Sequence, residues 1–127
     1  MTATSVNVRL GAIAAARSGD KGSSANIGVV PRTSSAFQFL REYLTPERVL
    51  AYFAPLEPTG IRYHVFPKIE CLNFVLEGIL AGGGSRSLRI DAQGKALGQA
   101  MLEMPIDVPA DLLGELVPHH SMKRPEV

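Results

Sequence analysis

The sequence predicts an α+β sandwich, a mixed or antiparallel sheet with helices packed on one of its faces. Three observations carry that expectation. Apolar and polar residues alternate with period two in Val6-Asn7-Val8-Arg9-Leu10, in Ile61-Arg62-Tyr63-His64-Val65-Phe66 and in Met104-Pro105-Ile106-Asp107-Val108. Apolar residues recur at helical spacing in Phe37, Leu40 and Leu44 and again in Val49, Leu50 and Phe53. The two kinds of segment alternate along the chain, with helices between the later strands. At 127 residues the chain fits a single domain, 1–127. A domain of that size buries roughly two-thirds of its unfolded surface without disulfides or a structural metal.

Taken in order, residues 1–5 read as a frayed end, and a first strand runs from Val6 through Ile13 toward Arg17. Ile27-Gly28-Val29-Val30 is the second strand, so 17–26 reads as the loop joining the two. Pro31 and Thr33 break the ladder, and Ser34 is placed to cap the helix of Phe37, Leu40, Tyr43 and Leu44, a stripe read as core. Thr45-Pro46-Glu47 supplies an N-cap, a proline at the first helical position and an acid in the first turn. Pro55, Pro58 and Gly60 end that second helix, and Pro67 closes the strand over 61–66. Over 69–80 the spacing of Leu72, Val75, Leu76 and Ile79 predicts a third helix, stopped by Gly82-Gly83-Gly84. Residues 87–90 read as a short strand. Asp91 then caps a helix over 93–102, with a hairpin as the alternative because of Gly94 and Gly98. Residues 104–108 suit an edge strand that tolerates Pro105, 111–117 a short helix, and 119–127 a mobile tail.

Composition removes several function classes. Thirteen basic residues against 12 acidic ones and an aromatic content of 6% without Trp lack the basic excess and aromatic platforms of a nucleic-acid binder. No apolar run approaches the roughly 18 residues needed to cross a bilayer, and the first residues lack a signal-peptide pattern, so a soluble, cytoplasmic protein without membrane contact is expected. Cys71, the single cysteine, reads as a small buried hydrophobe. His64 and His119-His120 lack metal-ligand spacing with Cys or carboxylates, so neither a metal nor a cofactor is expected.

The chemistry concentrates between residues 16 and 28. Gly19 and Gly22 let backbone approach a ligand, Arg17 and Lys21 suit an anion, and Ser18, Ser23, Ser24 and Asn26 add uncharged donors. Asp20 suits acid or base work where a neighbour tunes its pKa. The plainer alternative is a tight connection in which Asp20 accepts backbone hydrogen bonds and Lys21 is solvated. Gly82–Arg89 offers a second flexible backbone whose Arg86 and Arg89 suit two-pronged contacts to carboxylate or phosphate, or else a helix-ending turn with exposed arginines. Were both glycine stretches to face one cleft, Arg17, Lys21, Arg86 and Lys95 would surround a negatively charged ligand. Asn73, on an otherwise apolar helix, either bonds a buried backbone group or reaches into that cleft.

Ala16-Arg17-Ser18-Gly19-Asp20-Lys21-Gly22 followed by Ala25-Asn26-Ile27-Gly28 resembles the signature of the AtuA-like ferredoxin-fold domain, named for acyclic terpene utilisation in bacteria. Leu72-Asn73-Phe74-Val75-Leu76, Gly82-Gly83-Gly84-Ser85-Arg86-Ser87-Leu88-Arg89 and Asp91-Ala92-Gln93-Gly94-Lys95 extend the likeness in order, from about Leu10 to Ile106. Ser23 departs from it, where Asp or Asn is the expected residue. The resemblance implies a ferredoxin-like fold and a larger AtuA-like partner, since the domain occurs fused behind an AtuA-type domain or as a separate small protein, the form resembled here. It further implies a small subunit of a catabolic enzyme acting on an acyl-CoA or related carboxylic acid, of hydratase or dehydratase type. In that reading Asp20 is the acid or base, Lys21 and Arg86 hold the anionic group, and Ser18, Ser24 and Asn26 orient it. The alternative is a non-catalytic binding or assembly domain that stabilises the larger partner. Homo-oligomers are a further expectation, because open sheet edges and the stretch 81–84 invite covering.

Overall fold

The computed structural model describes residues 4–79 and 95–117, leaving aside the side chains of Asp20, Lys21, Lys95 and Ala96. Within them lie six strands, β1 (Ser5–Arg9), β2 (Ala14–Lys21), β3 (Ser24–Pro31), β4 (Gly60–Phe66), β5 (Cys71–Glu77) and β6 (Pro105–Pro109). Four α-helices join them, α1 (Ser34–Tyr43), α2 (Pro46–Tyr52), α3 (Lys95–Leu102) and α4 (Leu113–Leu116). Strands β2-β3-β5-β4 form a four-stranded sheet in that order, β1 and β6 form a two-stranded one, and every ladder is antiparallel.

Alternation decides which face of the larger sheet is buried. Register aligns Ala16, Val29, Leu72 and Val65 in one row across the strands and Ser18, Ile27, Phe74 and Tyr63 in the next. Ile27, Val29, Leu72, Phe74 and Leu76 are fully buried there, in one cluster with Ala36, Phe37 and Leu40 of α1, Val49 of α2 and Leu97 and Met101 of α3. Each such leucine or phenylalanine contributes about 1.5–3 kcal/mol of burial. The expected α+β sandwich with helices on one face is therefore the observed architecture. The smaller sheet closes the same core with Ile106 and Val108.

Helix starts follow local chemistry. Thr33, not Ser34, caps α1: its Oγ1 accepts from the Ala36 amide at 3.0 Å, and Ser34 is instead the first helical residue, its hydroxyl donating to the Glu70 carboxylate at 2.8 Å. Thr45 caps α2 as expected, accepting from the Arg48 amide at 3.2 Å with Pro46 behind it.

Other expectations are corrected. The first strand does not run through to Ile13; a single 3-10 turn over Leu10–Ala12 breaks it, with the Leu10 amide donating to the Met104 carbonyl, and β2 starts afresh at Ala14. The end is not frayed up to residue 5, because Ser5 pairs with Pro109 and the Thr4 carbonyl accepts from the Ala110 amide. Nor is 17–26 a loop. Nearly all of it is ladder, turning only at Gly22-Ser23, where Gly22 takes the positive φ of 62° that tight hairpins place on glycine. The helix expected over 69–80 is strand β5: Leu72, Phe74 and Leu76 are buried in alternation, and the strand lies between β3 and β4. Cys71 is only half buried. The expected strand over 87–90, the Asp91 cap and the tail over 119–127 lie outside the described residues.

Candidate functional site

The second face of the four-stranded sheet carries no helix among the described residues, and it is where Arg17, Ser24, Asn26 and Asn73 of the expected site residues meet. In β2, positions alternate between faces, so Arg17 and Gly19 lie on the open side while Ser18 lies beneath α3. Ladder register then builds two rows across all four strands. Arg17, Gly28, Asn73 and His64 form one, and Gly19, Asn26, Val75 and Arg62 form the other. Strand spacing makes each row about 14 Å long. Ser24, half buried, opens β3 on the same side as Asn26.

Charge on this face is unevenly satisfied. Arg62 is held by Glu77, Nε to Oε2 at 2.8 Å, whereas Arg17 is exposed and forms no ion pair among the described residues. Asn26 and His64 are exposed and Asn73 half buried. Guanidinium, amide and imidazole side chains thus stand over backbone left bare at Gly28. Neither Gly28 nor Gly19 has the positive φ that forces glycine, and a Cβ at Gly28 would sit 3.8 Å from the Asn73 Oδ1, an ordinary contact. The packing of the described residues does not demand these glycines, which leave the strand backbone there without a side chain over it. Such a surface can hold an anion through Arg17 and the two amides.

The remaining expected residues divide. Ser18 is on the covered face, close under Gly98, where a Cβ would lie 2.9 Å from the Ser18 hydroxyl; it does not join Arg17 and Asn26. Asp20 and Lys21 end β2, paired in the ladder with Ala25 and Ser24, and their side chains lie outside the described atoms. Lys95 is the first residue of α3, its side chain likewise, and Arg86 and Arg89 fall outside the described residues with the second glycine stretch. Sequence reasoning missed Arg62 and His64 as members of this face. The signal was present, since placing Ile61, Tyr63 and Val65 on one side of β4 puts Arg62, His64 and Phe66 on the other.

One end of the open face is apolar. Ala15 pairs with Val30 and Cys71 with Phe66. Phe66, 45% exposed, and Ile69, 68% exposed, flank a cavity of about 490 Å³ at the β4–β5 turn. Among the described residues, no group of three His, Cys, Asp or Glu could hold a metal ion, and no helix is long and apolar enough to cross a membrane.

Comparison with protein families matches residues 8–107 to the AtuA ferredoxin-like domain. No curated protein and no solved structure gives a significant match.

Proposed function

From its membership of the AtuA ferredoxin-like domain family, we propose that this chain is the small subunit of an AtuA-type catabolic enzyme acting on an acyl-CoA or related carboxylic acid, in a hydration or dehydration. The observation that carries the reading is the open sheet face, where Arg17, Asn26 and Asn73 share adjoining rows with no covering element among the described residues. In this reading Arg17 grips the anionic group, Asn26, Asn73 and Ser24 orient it, and the larger AtuA-like subunit supplies the walls. Asp20, at the hairpin tip in the row of Ala25 and Leu76 and so out of register with Arg17, is the acid or base at the end of the sheet, with Lys21, in register with Arg17, on the anion. Arg86, Arg89 and Lys95 supply further positive charge from the second glycine stretch and the start of α3.

A second reading, a non-catalytic assembly domain, is favoured by the apolar margin at Phe66 and Ile69, which suits a protein partner more than a small substrate. Asp20→Asn separates the two. It removes the charge and keeps the size, so catalysis by Asp20 predicts that the complex reconstituted with the larger subunit loses about a hundredfold or more of its activity with assembly unchanged by light scattering. Full activity in the intact variant complex, or loss only through dissociation, selects the assembly role.

A further inference from the structure

Helix α1 uses two adjacent faces. Ala36, Phe37 and Leu40 are buried against the sheet, while Phe39, Glu42 and Tyr43 turn toward α4 and line a cavity of about 590 Å³ on the helical side of the molecule, away from the open sheet face. That volume is within the usual range for small-molecule sites. The lining includes two aromatic and two aliphatic side chains. Phe39 stacks on Tyr43 with ring centroids 5.2 Å apart and planes 17° from parallel, and Leu112 and Leu116 form the opposite side. Tyr43 is fixed in place, its hydroxyl accepting from the Asp107 amide at 3.1 Å.

Two features give the cavity a charge preference. Arg48 places its guanidinium 4.0 Å from the centre of the Tyr43 ring, so the aromatic stack already holds one flat cation. Glu42 and Glu115, both exposed, line the same cavity, and neither forms an ion pair among the described residues. Arg48 is then the single cation against two carboxylates in the lining. A lining that combines aromatic rings with a net negative charge is complementary to an organic cation with a flat or apolar body and repels an anion of the same shape.

We propose that this cavity is a binding site for an aryl or alkyl ammonium, amidinium or guanidinium ligand, the cationic head between Glu42 and Glu115 and the apolar body against Phe39 and Leu112. The site is independent of the sheet face and of any reaction performed there. Benzamidine is the probe, and benzamide its neutral counterpart of nearly the same shape. In amide NMR titrations of the whole chain, benzamidine is expected to shift Phe39, Glu42, Leu112 and Glu115 saturably, with benzamide at least about tenfold weaker. The Glu42→Gln, Glu115→Gln double variant, altered only at exposed positions, should keep the spectrum of the folded protein and bind benzamidine at least about tenfold more weakly. Phe39→Leu keeps apolar volume but removes the ring face, and it too should weaken the cation more than benzamide. Equal binding of the two probes, shifts confined to other parts of the chain, or undiminished binding by the double variant would each overturn the proposal.

Discussion

Tyr63 stacks on Phe74 with centroids 4.9 Å apart, yet its buried hydroxyl has no hydrogen-bond partner among the described residues. A buried donor left unmade costs more than its absence, so Tyr63→Phe should be neutral or stabilise by up to about 1 kcal/mol in urea unfolding. Burial pushes the Tyr63 pKa up, opposed by the positive charge of Arg41. The folded state therefore keeps its phenol proton above the unfolded value near 10, and stability falls as pH rises beyond that point. Tyr63→Phe should remove part of that alkaline loss in unfolding curves measured on either side of pH 10. Tyr52 is the contrast. Its pKa is also raised, by burial and then by Glu103 against the opposing Arg9, but its hydroxyl donates to the Ala100 carbonyl at 2.7 Å. Tyr52→Phe should cost about 1 kcal/mol where Tyr63→Phe costs nothing.

Among the elements, β5 shows where sequence patterns are ambiguous. Leu72, Val75, Leu76 and Ile79 fit one side of a helix, while Leu72, Phe74 and Leu76 equally fit one side of a strand. What decides is the company of β3 and β4, whose hydrogen-bonding edges can both be satisfied by a strand between them. The Thr45 cap was legible because its determinants are local, a hydroxyl before a proline, whereas the β2–β3 hairpin reads as a loop over 17–26 because its polar, glycine-containing strand ends lack apolar alternation. Membership of the open face was legible only strand by strand. Arg17 and Asn73 are 56 positions apart in sequence, and only the register of β3 between them places the two in one row. Gly78, just past β5, is a position where glycine is required. It holds φ at 74°, and a Cβ there would lie 2.6 Å from the Thr59 hydroxyl. Gly78→Ala should cost about 2 kcal/mol or more, whereas Gly28→Ala, without positive φ or a clash, should leave stability within about 1 kcal/mol; urea unfolding of the pair checks both.

At the scale of the whole molecule, the sheet separates two surfaces, a face whose Arg17 has no ion pair among the described residues on one side and a cavity lined by two carboxylates and one arginine on the other. The fold class was readable because burial on one sheet face imposes alternation, and alternation survives in sequence. Which surface does what was not, since it depends on elements distant in the chain coming together. The β1–β6 ladder is the extreme case: Asn7 and Asp107, joined side chain to side chain at 2.9 Å, are 100 residues apart. Loop closure over that distance is costly before any contact rewards it, whereas the β2–β3 and β4–β5 hairpins close locally. β1 is therefore expected to dock late. Val8→Ala, opposite Ile106, should speed unfolding and leave the refolding rate nearly unchanged in stopped-flow measurements. During synthesis β1 emerges before its partner and waits, its valines uncovered, until β6 has been translated, so over that span the nascent chain carries an unpaired strand open to chaperones and to neighbouring chains.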